Sequence, residues 1–176
     1  MGYSGGTTED PTYRNIGDHS ETVRIEYAPT QISYQQLLDF FWDSHNPTYP
    51  SLSQQYSSLV FYHNEEQQRL AQETRQREQT SSGREIFTEI VPASEFYLAE
   101  DYHQKYWLQQ APDLMEQFRT IYPDPADFVN STAAARVNGY AGGNSTLAEL
   151  QTALEGLDLP SEVQQKLLEN TNSGRR

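Results

Sequence analysis

Apolar positions along this chain fall into short, differently spaced sets. From Thr22 to Tyr27 they alternate, with Val23, Ile25 and Tyr27 on one face and Thr22, Arg24 and Glu26 on the other, the period of a half-buried strand. After Pro29 the spacing becomes helical. Ser33 with Gln36 three residues on forms a capping box, opening a helix that carries Leu37, Leu38, Phe41 and Trp42 and should stop at Asn46-Pro47. The apolar run Ser58 to Tyr62 predicts a buried strand. Asn64 can cap a helix from Glu65 to Thr80 that is polar apart from Leu70 and Ala71, and so a surface helix. Ser81-Ser82-Gly83 breaks it, and Ile86 to Val91 reads as a third strand before Pro92.

The two ends have a different character. Residues 2 to 20 carry the turn signals Gly5-Gly6 and Asp10-Pro11 and read as a loop. Beyond Trp107, prolines at 112, 123 and 125 punctuate short segments. Helical patterns then run from Leu147 to Leu154 and from Glu162 to Leu168, the latter capped by Ser161, and Asn170 to Arg176 should fray. Strands separated by capped helices predict an α+β fold, an α/β sandwich around a small mixed sheet. The expected organisation is a domain over residues 1–109 and a mostly helical C-terminal extension over residues 110–176.

Composition narrows the function. The net charge of −13 makes nucleic acid and anionic membranes unsuitable partners, since both would be repelled. No apolar run reaches the roughly 20 residues that span a bilayer, and the first residues lack the basic and apolar regions of a signal peptide. A cytoplasmic setting is the expectation. The chain contains no cysteine, hence no disulfide, thiolate nucleophile or sulfur metal ligand. His19, His45, His63 and His103 are too scattered for a helical metal pair, so neither metal nor cofactor is expected.

Four stretches taken in order carry a family pattern: Gly2-Tyr3-Ser4-Gly5-Gly6, Asp10-Pro11-Thr12-Tyr13, Gly17-Asp18-His19-Ser20-Glu21 and Phe96-Tyr97-Leu98-Ala99-Glu100-Asp101-Tyr102-His103-Gln104-Lys105-Tyr106. With Ile32-Ser33-Tyr34, Phe41-Trp42 and Phe61 to Gln67 between them, residues 2 to 107 resemble type A methionine sulfoxide reductases. The resemblance implies reduction of methionine-S-sulfoxide, free or in proteins, by a cysteine that becomes sulfenic acid and is restored by thioredoxin or another thiol reductant. In that family the cysteine lies in a Gly-Cys-Phe-Trp motif ahead of the Gly-Tyr-x-Gly-Gly segment, where it can also be selenocysteine. The expectation is therefore an N-terminally incomplete, inactive member, or else a non-catalytic pseudoenzyme that binds methionine sulfoxide or a protein partner.

The same resemblance assigns the sulfoxide-oxygen side of the site to Glu21, Tyr13 and Tyr56, because a carboxyl and phenols can donate to an oxygen that gains negative charge. Without the motif, Glu21 would read as a solvated strand-edge residue and the two tyrosines as half-buried packing. His19 is expected to brace the loop before Glu21, and His103 to order the C-terminal core. Phe41-Trp42 reads as core rather than as a ligand platform. Many members have Gly-Asn-Asp-x-Gly-Thr-Gln-Tyr where this chain has Pro50-Ser51-Leu52-Ser53-Gln54-Gln55-Tyr56, so Ser51 stands at the family's Asp.

Overall fold

A computed structural model describes residues 1–143, 146–154 and 159–173. Its elements are β1 Gly2–Ser4, β2 Ser20–Thr22, α1 Tyr34–Asp43, β3 Leu59–Tyr62, α2 Glu65–Ser82, β4 Glu89–Pro92, β5 Tyr97–Leu98, α3 Tyr106–Gln109, α4 Pro112–Ile121, α5 Pro125–Asn130, α6 Thr132–Ala141, α7 Leu147–Leu154 and α8 Ser161–Ser173. Single 3-10 turns cover Gln54–Tyr56 and Asp101–His103. The class is α+β. Two compact units form, Met1–Glu100 and Asp101–Arg176.

In the first unit β1 is the centre of a three-stranded antiparallel sheet of order β2-β1-β5, while β3 and β4 form a parallel pair. A parallel pair needs a crossover, and α2 supplies it. The capping box of α1 forms as the spacing predicts: the Ser33 side chain accepts from the Gln36 N–H, and the Gln36 side chain accepts from the Ser33 N–H. Asn64 caps α2, and Gly83 ends it in a left-handed conformation at φ 63° that disfavours a side chain. Leu38 and Trp42 of α1, Val60 of β3, Ala71 of α2 and Ile86 make one buried cluster, so Trp42 is core and Phe41 packs at its margin.

A chain of hydrogen bonds ties α1 to the parallel pair. His45 Nδ1 lies 2.9 Å from the Phe41 carbonyl, which can only accept, so Nδ1 carries the proton. Nε2 then accepts from Ser58 Oγ at 2.8 Å, and Ser58 in turn accepts from the fully buried Thr88 hydroxyl at 2.8 Å.

Three expectations change in this unit: the strand read from Ile86 to Val91 is Glu89–Pro92, with Ile86 ahead of it in the core, and two others concern β1 and β2. Gly2–Ser4 is not loop but a buried strand, paired on both edges. Conversely, the strand expected from Thr22 to Tyr27 is only Ser20–Thr22. In the register Gly2↔Thr22 the ladder reaches its last pair, so among the described residues Val23 onward has no partner strand. Alternation sorts side chains to two faces but cannot create a neighbouring strand, and Val23 and Ile25 are 63% and 58% exposed.

The second unit is helical. Leu108, Leu114, Met115, Phe118, Phe128, Val137, Leu150, Val163 and Leu167 share one buried core. Leu108 belongs to it and its N–H donates to Asn138 Oδ1 at 3.1 Å, so this unit starts earlier than the change of character near residue 110 suggests. Ser161 is the first residue of α8 rather than a cap, and the helix extends through the expected fraying region to Ser173. Residues 174–176 lie outside the described residues. No helix among the described residues is long and apolar enough to cross a membrane.

Candidate active site

The site is built on the segment Gly17 to Glu21, whose residues divide between holding the loop and presenting a carboxyl. Asp18 receives the N–H and hydroxyl of both Thr7 and Thr8 at 2.8–3.0 Å. The Thr7 backbone bond first, then the Thr8 and Thr7 hydroxyls and the Thr8 backbone, stabilise the carboxylate and hold its pKa well below the usual range. His19 is 1% exposed; its Nε2–H donates to the Thr8 carbonyl at 2.8 Å and its Nδ1 accepts from the Gly6 N–H at 3.1 Å. The Gly6 approach is so close that a Cβ there would lie 2.7 Å from the Asp18 backbone, which explains a glycine. His19 therefore braces the loop, as expected of it.

The folded pKa of Asp18 is depressed, so its contribution to stability is complete above the ordinary value of about 4 and disappears as pH falls through the native value. Asp18→Asn is expected to weaken amide-exchange protection at Thr7 and Thr8 at neutral pH, and to flatten the loss of protection seen below about pH 4 in the parent. Matching acid profiles in the two proteins would show that the carboxylate does not hold this loop.

Ser20 and Glu21 point the next step of the chain toward the Gln54–Tyr56 turn. Ser20 Oγ donates to the Gln54 carbonyl at 2.6 Å and accepts from Gln54 Nε2 at 3.2 Å. Glu21 then meets Gln55, whose Nε2 donates to Glu21 Oε1 at 2.7 Å and to the Tyr56 hydroxyl at 3.2 Å. Tyr56 and Tyr13 hydroxyls are 3.5 Å apart. Tyr13 is held from behind by Glu100: its backbone N–H reaches Glu100 Oε1 at 3.0 Å, while Glu100 Oε2 receives the hydroxyl of the buried Tyr3 at 2.6 Å. The hydrogen bond to Tyr13 is the main reason the Tyr56 phenol titrates above its usual range, followed by desolvation and by repulsion from Tyr13 and Glu21. Tyr56 consequently stays protonated, and able to donate, at neutral pH.

The structure thus brings Glu21, Tyr13 and Tyr56 into one hydrogen-bonded group. Gln55 and Glu100, which complete it, were not singled out by sequence, although both lie inside motifs that were. Ser51 takes no part; its hydroxyl donates to the Ser53 carbonyl within an exposed turn.

Glu21 and Tyr56 also line an open cavity of about 560 Å³ whose wall includes Val23, Ile25, Leu38 and Phe41. The exposed faces of Val23 and Ile25 are therefore cavity wall. An α+β domain that sets a carboxyl and a phenol at the edge of an apolar cavity is suited to a ligand with a polar oxygen on an apolar stem.

Comparison with known proteins agrees. The family profile described as peptide methionine sulfoxide reductase matches residues 1–137. A peptide methionine sulfoxide reductase of Drosophila melanogaster is 40% identical over 162 residues, covering 90% of this chain and 64% of its own. Among solved structures, the reduced form of Mxr1 from Saccharomyces cerevisiae is 29% identical with a TM-score of 0.58, covering 63% of this chain and 69% of that one. Methionine sulfoxide reductase A of Corynebacterium diphtheriae is 30% identical with a TM-score of 0.53, covering 63% and 62%. The chain belongs to the peptide methionine sulfoxide reductase family, type A. It spans less than two thirds of the length of the curated relatives it matches, 64% of the Drosophila protein and 57% of a relative from Arabidopsis thaliana.

Proposed function

We propose that this chain binds methionine-S-sulfoxide, in peptides or free, and forms the oxygen side of a peptide-methionine (S)-S-oxide reductase site. The observation that carries the reading is the Glu21–Gln55–Tyr56–Tyr13 hydrogen-bonded group at the edge of an apolar cavity. A sulfoxide oxygen is a strong acceptor, and it gains negative charge as sulfur is attacked. The Tyr56 hydroxyl donates to it beside the Glu21 carboxyl, with Tyr13 supporting Tyr56, while the apolar wall takes the methyl and methylenes.

Reduction needs a partner these residues do not contain. A thiol sulfur must attack the sulfoxide sulfur and take its oxygen, giving a sulfenic acid and the methionine thioether; a second thiol then forms a disulfide and releases water. With no cysteine among the 176 residues, the nucleophile has to come from outside this sequence. Thioredoxin or another thiol reductant would regenerate it, in a thiol-reducing compartment such as the cytoplasm. The lack of cysteine favours a second reading as well, in which the chain alone is a non-catalytic methionine-sulfoxide binder.

Both readings require binding. Titration calorimetry with a peptide carrying methionine-S-sulfoxide is expected to give saturable heat, with an affinity at least about tenfold above that for the unoxidised peptide. Glu21→Ala is expected to remove that preference. Equal affinity for oxidised and unoxidised peptide would defeat the proposal.

A further inference from the structure

We infer that Gln55 is a positioning residue that sets which atoms of Glu21 and Tyr56 face the sulfoxide oxygen; this rests on the sulfoxide-binding reading above. Gln55 does not line the cavity, whereas both of its partners do. It is half-buried in the Gln54–Tyr56 turn, directly before Tyr56 and hydrogen-bonded across to β2.

The argument is one of hydrogen-bond direction. An amide nitrogen has two N–H groups and no acceptor capacity, and here one goes to Glu21 Oε1 and the other to the Tyr56 hydroxyl oxygen. Glu21 Oε1 is thereby committed as an acceptor. Among the described residues Glu21 Oε2 has no hydrogen-bond partner, so it is the carboxyl atom left to meet a ligand. Tyr56, having accepted from Gln55, can only direct its own proton outward, to Tyr13 or to a ligand. A single amide therefore decides which atoms of both groups are left for a ligand. Ser20 and Gln54, bonded to each other one residue earlier in both segments, keep the turn in register with β2 so that Gln55 can reach both partners.

Two variants separate this role from packing. Gln55→Glu keeps the shape but replaces the amide by a carboxyl beside Glu21, and Gln55→Leu removes hydrogen bonding. Both are expected to lower affinity for a methionine-S-sulfoxide peptide about tenfold, and the loss is expected to shrink in Glu21→Ala and to fall below about twofold in Glu21→Ala/Tyr56→Phe, because Gln55 acts through those two residues. Full additivity of Gln55→Leu and Glu21→Ala would overturn the inference. A ligand-free measurement stands beside it: in the ¹H–¹⁵N spectrum, Glu21→Ala and Tyr56→Phe are each expected to shift a different one of the two Gln55 side-chain amide protons. If neither proton moves, the bridge does not exist, whatever the binding result. If both move but the parent chain does not distinguish oxidised from unoxidised peptide, it is the sulfoxide reading that fails, and the function given to Gln55 falls with it.

Discussion

Incubated with a methionine-S-sulfoxide peptide and excess dithiothreitol or thioredoxin, the 176-residue chain is expected to form no reduced, methionine-containing peptide above the reagent blank. The reason is chemical rather than conformational. Oxygen transfer from sulfur requires a soft nucleophile that can hold the oxygen and be reduced again, and the chain has no cysteine to do so. The carboxyl and phenol groups of Glu21, Tyr13 and Tyr56, in the role proposed for them, make hydrogen bonds but accept no oxygen. A reductant in free solution also lacks the advantage of a nucleophile held in place, for which effective molarities reach about 10⁵ M or more. The deficit relative to a cysteine-containing family member should therefore be at least about 10⁵-fold. Turnover that survives repurification and is abolished by Glu21→Ala would refute this, and would mean that a nucleophile exists among residues that carry no sulfur thiol.

The second large effect is on stability. Phe118 is fully buried in the helical unit, with Phe128 edge-on at 6.4 Å and Tyr122 stacked at 6.0 Å between ring centroids. Phe118→Ala is expected to cost about 3–5 kcal/mol, the lost transfer energy plus the cavity left behind. That is a large share of the roughly 5–15 kcal/mol by which a domain is stable. Phe118→Leu, which retains most of the volume, should cost under about 1.5 kcal/mol. Denaturant unfolding and amide-exchange protection along α4, α6 and α8 report both values. A loss below about 1 kcal/mol in Phe118→Ala would place the hub of this core elsewhere.

The arrangement of the site divides labour along a short segment. Asp18 and His19 fix the loop, Ser20 locks the register to the facing turn, and Glu21 is the residue presented. Its neighbours follow the same logic: Glu100 holds Tyr3 by its hydroxyl and Tyr13 by its backbone N–H, and the Tyr13 hydroxyl meets that of Tyr56.

What the sequence determined by itself was whatever depends on near neighbours. Ser33 and Gln36, Asn64 and Gly83 each settle a helix end through bonds within four residues, so α1 and α2 were legible with their caps. The apolar run of β3 and the α+β class were legible for the same reason, and the ordered motifs from Gly2 to Tyr106 pointed to the family and to Glu21, Tyr13 and Tyr56. Only the tertiary structure decided what depends on distant partners. Gly2–Ser4 has the composition of a turn but becomes a central strand because β2 and β5 pair with it from either side. Val23 and Ile25 have strand alternation but remain exposed, since among the described residues no neighbouring strand completes the ladder. Gln55 and Glu100 look like ordinary polar residues until the fold brings them across 34 and 87 positions to Glu21 and Tyr13, because a side-chain hydrogen bond leaves no periodic trace in the chain that makes it.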